Sequence, residues 1–246
     1  MIPKIIWQTY KTEYPPAVAI DCVRSWLISN PDYEWMYFDD DACDKFMRDH
    51  FNDEFYNIYD SLPLGVMKSD MWRVAIVYVY GGFYADLDTR CLGNLSSWVR
   101  NEHLLLSVET DRGSICNYFF GAMPKHPALY AALKTFKDCY NSPNYLNKEY
   151  ITATPVQNFG AHAFSSGVLE YYGVSTAEAM AAGGSSDYYN TIDKAIQENT
   201  RFLLYGAHEV APWPDHRTRV SHETASMFWR EGYDSWRTIQ HEQFGV

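Results

Sequence analysis

At 246 residues the chain is long enough to bury one substantial core, and its hydrophobic fraction of 47% with an aromatic fraction of 17% excludes a disordered polypeptide. Its formal charge of −11, with no stripe of Lys and Arg to reverse the sign locally, excludes nucleic acid as an expected partner. A nucleotide diphosphate would be repelled as well, unless a metal ion and a well-placed cation receive it.

In chain order, residues 2–10 carry the apolar run Ile5-Ile6-Trp7 after Pro3-Lys4 and read as a short buried strand. Residues 21–29 read as a helix and residues 33–38 as a second strand, giving a βαβ unit. The acidic run Asp39-Asp40-Asp41 follows, and we read it as capping a helix over 42–50 rather than as catalytic. Residues 66–80 form the clearest helix, dense in apolar positions and ended by Gly81-Gly82. A strand over 83–87 comes next, with Asp86 and Asp88 at its carboxyl end. Strands over 104–108 and 118–122 and a helix over 127–140 complete the regular part. Residues 145–184 read as irregular connections and short helices, and the pattern of residues 221–236 does not settle their structure.

Alternating strands and helices predict an α/β fold. No repeat or Pro-rich linker divides the chain, so a single domain over 1–246 is expected, read in two parts, 1–110 and 111–246. The five cysteines are widely spaced without a C-x-x-C pair, as expected of buried free thiols in a reducing compartment. No stretch has the apolar length of a membrane span and residues 1–10 do not read as a signal peptide. A soluble, cytoplasmic protein is the expectation, with peripheral membrane contact left open.

Residues two apart on an extended strand project to one side, so Asp86 and Asp88 can present two carboxylates to one hard cation. An Asp-x-Asp triplet alone is weak evidence in an acidic chain; its place at the carboxyl edge of a predicted sheet, where open α/β folds bind ligands, strengthens it. On the preceding helix Asp70 and Arg73 share a face in apolar surroundings and must pair with each other or with a ligand. Both readings stay open on spacing alone. The second supplies the cation that the acidic balance demands.

The run Ser69-Asp70-Met71-Trp72-Arg73, followed by Tyr80-Gly81-Gly82-Phe83-Tyr84-Ala85-Asp86-Leu87-Asp88-Thr89, resembles the sugar-binding DXD region of glycosyltransferase family 32. That family includes yeast-type α-mannosyltransferases, and its pattern is similar to that of the glucosyltransferase domains of clostridial toxins. The opening Ile2-Pro3-Lys4-Ile5-Ile6-Trp7-Gln8-Thr9 resembles the family's first strand.

The resemblance implies a GT-A (Rossmann-like) fold with one mixed central sheet flanked by helices. It also implies a metal-dependent retaining transfer of a hexose from a GDP- or UDP-sugar to a glycan or other hydroxyl acceptor. It places Trp7 on the donor's base, Asp70 and Arg73 on sugar and diphosphate, and Mn2+ or Mg2+ on Asp86 and Asp88. Gln8, Thr9, Tyr84 and Asn117 join the implied donor site. The segment Ser221-His222-Glu223-Thr224-Ala225-Ser226-Met227-Phe228-Trp229 is a loose version of the family's C-terminal segment, adding His222 as a third metal ligand and Trp229 as a donor contact. Two other classes fit parts of the pattern: an Asp-x-Asp phosphohydrolase, and a non-catalytic carbohydrate-binding protein.

Overall fold

The computed structural model describes residues 1–109, 114–142, 158–175, 200–205 and 220–222. The chain opens with β1 (Ile5–Thr9), α1 (Ile20–Ser29) and β2 (Glu34–Phe38), and β1 and β2 pair in parallel. Three helices follow: α2 (Asp40–His50), α3 (Asp53–Ser61) and α4 (Gly65–Tyr80). Asp39 caps α2 by accepting the Ala42 amide at 2.8 Å, as the acidic run predicts. Asn52 caps α3 in the same way through the Phe55 amide. The sequence reading had no helix at α3, although Asn52-Asp53-Glu54 is an acidic helix start with Phe55, Ile58 and Tyr59 on one face behind it.

Helix α4 has no side-chain cap and is buried on nearly every side from Met67 to Val77, so packing rather than capping holds it. It stops at Gly81 and Gly82, whose φ values of 70° and 96° suit glycine. A Cβ on Gly82 would also stand 2.8 Å from the Ile5 carbonyl oxygen. The two glycines therefore reverse the chain straight into β3 (Gly82–Ala85), leaving the amino-terminal half of α4 beside the carboxyl end of β3.

The rest of the described chain comprises β4 (Thr89–Cys91), β5 (Leu104–Glu109), β6 (Ser114–Ile115), β7 (Phe119–Ala122), α5 (Pro127–Asn141), a π-helical turn (Asn158–His162), α6 (Ala163–Tyr171), β8 (Thr200–Tyr205) and β9 (Val220–His222). The main sheet has the order β2-β1-β3-β7-β5-β6, with β8 pairing β5. β1, β2 and β3 are parallel, β7 runs against β3 and β5, and β8 is parallel to β5. A separate two-stranded ribbon pairs β4 with β9.

Strand alternation splits the core. Trp7, Tyr84, Phe120 and Leu104 face the layer of α4, α5 and α6, whereas Ile6, Phe83, Phe119 and Leu105 face Trp26 of α1 and Trp98. The mixed open sheet with helices on its faces is the predicted architecture. Helix α6 is one of the short helices expected among the irregular connections of 145–184; its Ser165, Ser166 and Gly167 are poor helix formers, and the helix is held by packing along α5.

Candidate active site

Because β1, β2 and β3 are parallel, their carboxyl ends share one edge of the sheet, and antiparallel β7 brings its amino end there too. Asp86, Leu87 and Asp88 occupy this edge. They lie in the turn between β3 and β4 rather than on an extended strand, which corrects the geometry assumed from sequence. The Asp86 amide donates to the Tyr118 carbonyl at 2.8 Å, in register with the β3–β7 ladder, and the Asp86 carbonyl accepts the Thr89 amide at 3.0 Å, closing the turn. The Thr89 hydroxyl and Gln8 Nε2 also donate to that carbonyl. From α1, Trp26 Nε1 holds the Thr89 carbonyl at 2.8 Å. Both carboxylates are left partly exposed on a braced turn.

Arg73 reaches this turn from α4. Its NH2 group lies 3.2 Å from Asp70 Oδ1 and 3.3 Å from Asp86 Oδ1, and its NH1 donates to the Asn117 carbonyl at 3.0 Å. Nε and NH2 also meet the Ser69 carbonyl and hydroxyl at 3.3 Å, and the guanidinium sits 4.7 Å from the Tyr84 ring centroid. Burial works against the charge, but Asp86, Tyr84, Asp70 and Asp88 outweigh it and raise the Arg73 pKa. Tyr84 donates its hydroxyl to Asp86 Oδ1 at 2.6 Å, and Asn117 Nδ2 donates to Asp70 Oδ1 at 2.8 Å. The pairing that sequence left open is therefore double: Arg73 bridges Asp70 and Asp86.

Three carboxylates (Asp70, Asp86, Asp88) around one guanidinium leave the cluster at −2 when all are ionised. A divalent cation balances that charge. Asp86 and Asp88 suit one: their donors are oxygen, and the bonds from Tyr84 and Arg73 both fall on Asp86 Oδ1, leaving Oδ2. Among the described residues no group of three His, Cys, Asp or Glu side chains is arranged to hold a metal. Two carboxylates completed by phosphate oxygens is an ordinary arrangement for a hard cation. In the β4–β9 ribbon, His222 pairs in register with Thr89, the residue after Asp88.

Residues 16–105 match the family described as "Glycosyltransferase sugar-binding region containing DXD motif". This stretch is similar to a DXD glycosyltransferase region. It includes Asp70, Arg73, Asp86 and Asp88, the residues that meet in space. The chain is 29% identical over 159 residues to the initiation-specific alpha-1,6-mannosyltransferase of Schizosaccharomyces pombe, covering 56% of this chain and 40% of that protein. It is 34% identical over 133 residues to inositol phosphoceramide mannosyltransferase 2 of the same yeast, covering 52% and 36%. The matches thus span less than half the length of these relatives. Among solved structures, the PaToxG glycosyltransferase superposes with a TM-score of 0.57 at 15% identity, over 79% of this chain and 76% of that one. The fold is GT-A.

Around the DXD region, two sequence-predicted donor residues turn out to be internal. Trp7 is 4% exposed, donates its indole N–H to the Gly81 carbonyl at 2.7 Å and stacks on Tyr80, so it packs the core and offers no open face to a base. Gln8 is fully buried between Trp35, which donates to its Oε1, and the Asp86 carbonyl, and so supports the turn. The Thr9 hydroxyl is bonded to the Phe38 carbonyl and faces Cys43 Sγ. Asn117 orients Asp70. Trp229 lies outside the described residues. Sequence reasoning missed Ser69 and the Tyr118 carbonyl; Ser69 lies inside the recognised run, whereas the Tyr118 contact is made by backbone and leaves no trace in residue type.

Asp70 is an ionisable group under tension. Burial pushes its pKa up to about 6, with Asp86 adding to the rise, while Arg73 and Asn117 act to lower it. Between its ordinary value of 3.8 and about 6 the folded chain holds a proton that the unfolded chain has released, so this group's contribution to stability falls as pH rises through that window. Asp70→Asn lacks the titration. In urea melts of ligand-free protein it is expected to gain ~1–2 kcal/mol on wild type between pH 4 and pH 7. A stability difference that stays constant over that range would contradict the assignment.

Proposed function

We propose that the protein is a metal-dependent glycosyltransferase that moves a hexose from a nucleoside diphosphate sugar to a hydroxyl acceptor with retention of anomeric configuration. The observation that carries this reading is the Arg73 guanidinium bridging Asp70 and Asp86 at the carboxyl edge of the sheet, inside the matched sugar-binding region. Arg73 is a fixed cation for the diphosphate, and Asp70 is an acceptor for sugar hydroxyls. Asp86 and Asp88, with His222 the candidate third ligand, would hold Mn2+ or Mg2+. When bound, such an ion acts as a Lewis acid on a leaving diphosphate. Tyr84 keeps Asp86 aimed, and Asn117 does the same for Asp70.

In the transfer, the bond from the anomeric carbon to the β-phosphate oxygen breaks and a bond to the acceptor oxygen forms on the same face. The acceptor's proton leaves on the departing phosphate. No side chain is needed as general base on this route, in keeping with carboxylates that are already engaged by Arg73. The matched relatives are named as mannosyltransferases, which makes GDP-mannose the first donor to try and a glycan or glycoconjugate hydroxyl the first acceptor class.

A phosphohydrolase reading would use the first Asp of the triplet as nucleophile, but it gives no role to the buried Asp70–Arg73 pair and no reason for the match of residues 16–105 to a sugar-binding region. The test is incubation of purified protein with GDP-mannose, UDP-glucose and UDP-galactose in Mn2+. Release of nucleoside diphosphate with transfer to an acceptor or water is expected. Inertness toward every sugar nucleotide, with cleavage of a phosphomonoester such as p-nitrophenyl phosphate, would replace this reading.

A further inference from the structure

Gly160 lies in the π-helical turn Asn158–His162, and such insertions are frequent at functional sites. It is buried, and a Cβ added to it would stand 2.1 Å from Asp70 Oδ2 and 2.8 Å from Asp70 Cγ. No side chain fits at 160 unless Asp70 turns away. The other Asp70 oxygen is the one that Asn117 and Arg73 engage. Asp70 is thus fixed by polar contacts on Oδ1 and confined by bare backbone against Oδ2.

The turn is anchored from elsewhere. Phe159 packs on Phe136 of α5 with centroids 5.1 Å apart, and the turn runs directly into α6. On α6 the Ser165 hydroxyl accepts the Ile115 amide at 3.0 Å. None of these contacts passes through the Asp86–Asp88 turn, so the segment arrives at Asp70 as a preset wall.

We infer that Gly160 is a positioning residue of the donor site: having no side chain, it lets the 158–162 turn close directly on Asp70 and hold the carboxylate in the rotamer that Asn117 and Arg73 share. This rests on the reading of Asp70 as a sugar-hydroxyl ligand. It ties the 158–162 turn, which follows α5, to recognition of the donor's sugar through backbone set against Asp70.

The test is a calorimetric binding cycle in Mn2+ with GDP-mannose, UDP-glucose and UDP-galactose, and with GDP and UDP as sugar-free controls. Gly160→Ala is expected to weaken binding of the sugar nucleotide about tenfold while leaving the matching nucleoside diphosphate within about twofold. In an Asp70→Ala background, the same change is expected to have no further effect on the sugar nucleotide. Equal losses for sugar nucleotide and diphosphate, an undiminished loss in the Asp70→Ala background, or no loss at all would each overturn the inference while leaving donor binding by wild type intact. Failure of the wild type to bind any of the five compounds would instead remove the proposed function, and this inference with it. Should Gly160→Ala lower the thermal midpoint, the cycle read as midpoints keeps the test: restoration by Asp70→Ala supports the contact, and the same loss in both backgrounds refutes it.

Discussion

Replacing Asp88 with Asn is expected to lower sugar transfer by roughly 10²–10³-fold while shifting the thermal midpoint by less than about 2 °C. Asp88 sits partly exposed in a turn whose geometry is set by other groups: the Tyr118 carbonyl, Thr89, Gln8 and Trp26. Asn keeps the shape and removes one of the two negative charges that a hard cation requires there. The loss belongs to kcat in the presence of saturating donor, because charge stabilisation at the leaving group is needed most as the bond breaks. Steady-state kinetics over a manganese titration measure it. If the variant turns over at the wild-type rate and with wild-type metal dependence, Asp88 is not a metal ligand.

Arg73→Ala is expected to be costly to the fold as well as to function. The guanidinium is shared by two carboxylates and also satisfies the Asn117 and Ser69 carbonyls, in a site where Asp70 and Arg73 are each only 5% exposed. Removing it leaves Asp70 buried beside Asp86 with no counter-charge, the situation that costs about 3–5 kcal/mol when one partner of a buried pair is deleted. Urea melts measure that loss. It should shrink from pH 7 to pH 5, where protonated Asp70 no longer repels Asp86. Arg73→Lys restores the charge but not the fork that spans Asp70, Asp86 and Asn117, so it should recover part of the stability and little of the donor affinity. A fully stable Arg73→Ala protein would show the bridge to be energetically idle.

Much of the carboxyl-edge cluster was legible because it is local. The helix from Gly65 to Tyr80, the glycine reversal and β3 are contiguous, so the spacing of Asp70, Arg73, Asp86 and Asp88 already fixes which residues can meet. What sequence could not supply was long-range. The pairing of Arg73 with Asp86 across the reversal, the Tyr118 carbonyl that anchors the Asp86 amide, and the register of β9 against β4 all depend on tertiary packing. Trp7 shows the opposite failure: its place in a recognisable run suggested contact with a base, whereas strand alternation turns it inward beneath Phe38 and Tyr80. Gly160 escaped for a third reason, since the missing side chain has meaning only once Asp70 is seen beside it. Short helices were expected over 145–184, but the bounds of α6 depend on its packing against α5, which overrides the low propensity of its serines and glycine.

On the proposed function, the carboxyl-edge cluster receives a diphosphate sugar together with a divalent ion, with Arg73 as the fixed cation. Calorimetric titration of the wild-type protein with GDP-mannose, and with UDP-glucose if that fails, in Mn2+ and again in EDTA tests this most directly. Binding in Mn2+ that weakens by at least about tenfold in EDTA is the predicted result. Donor affinity that is the same with and without the metal would contradict it.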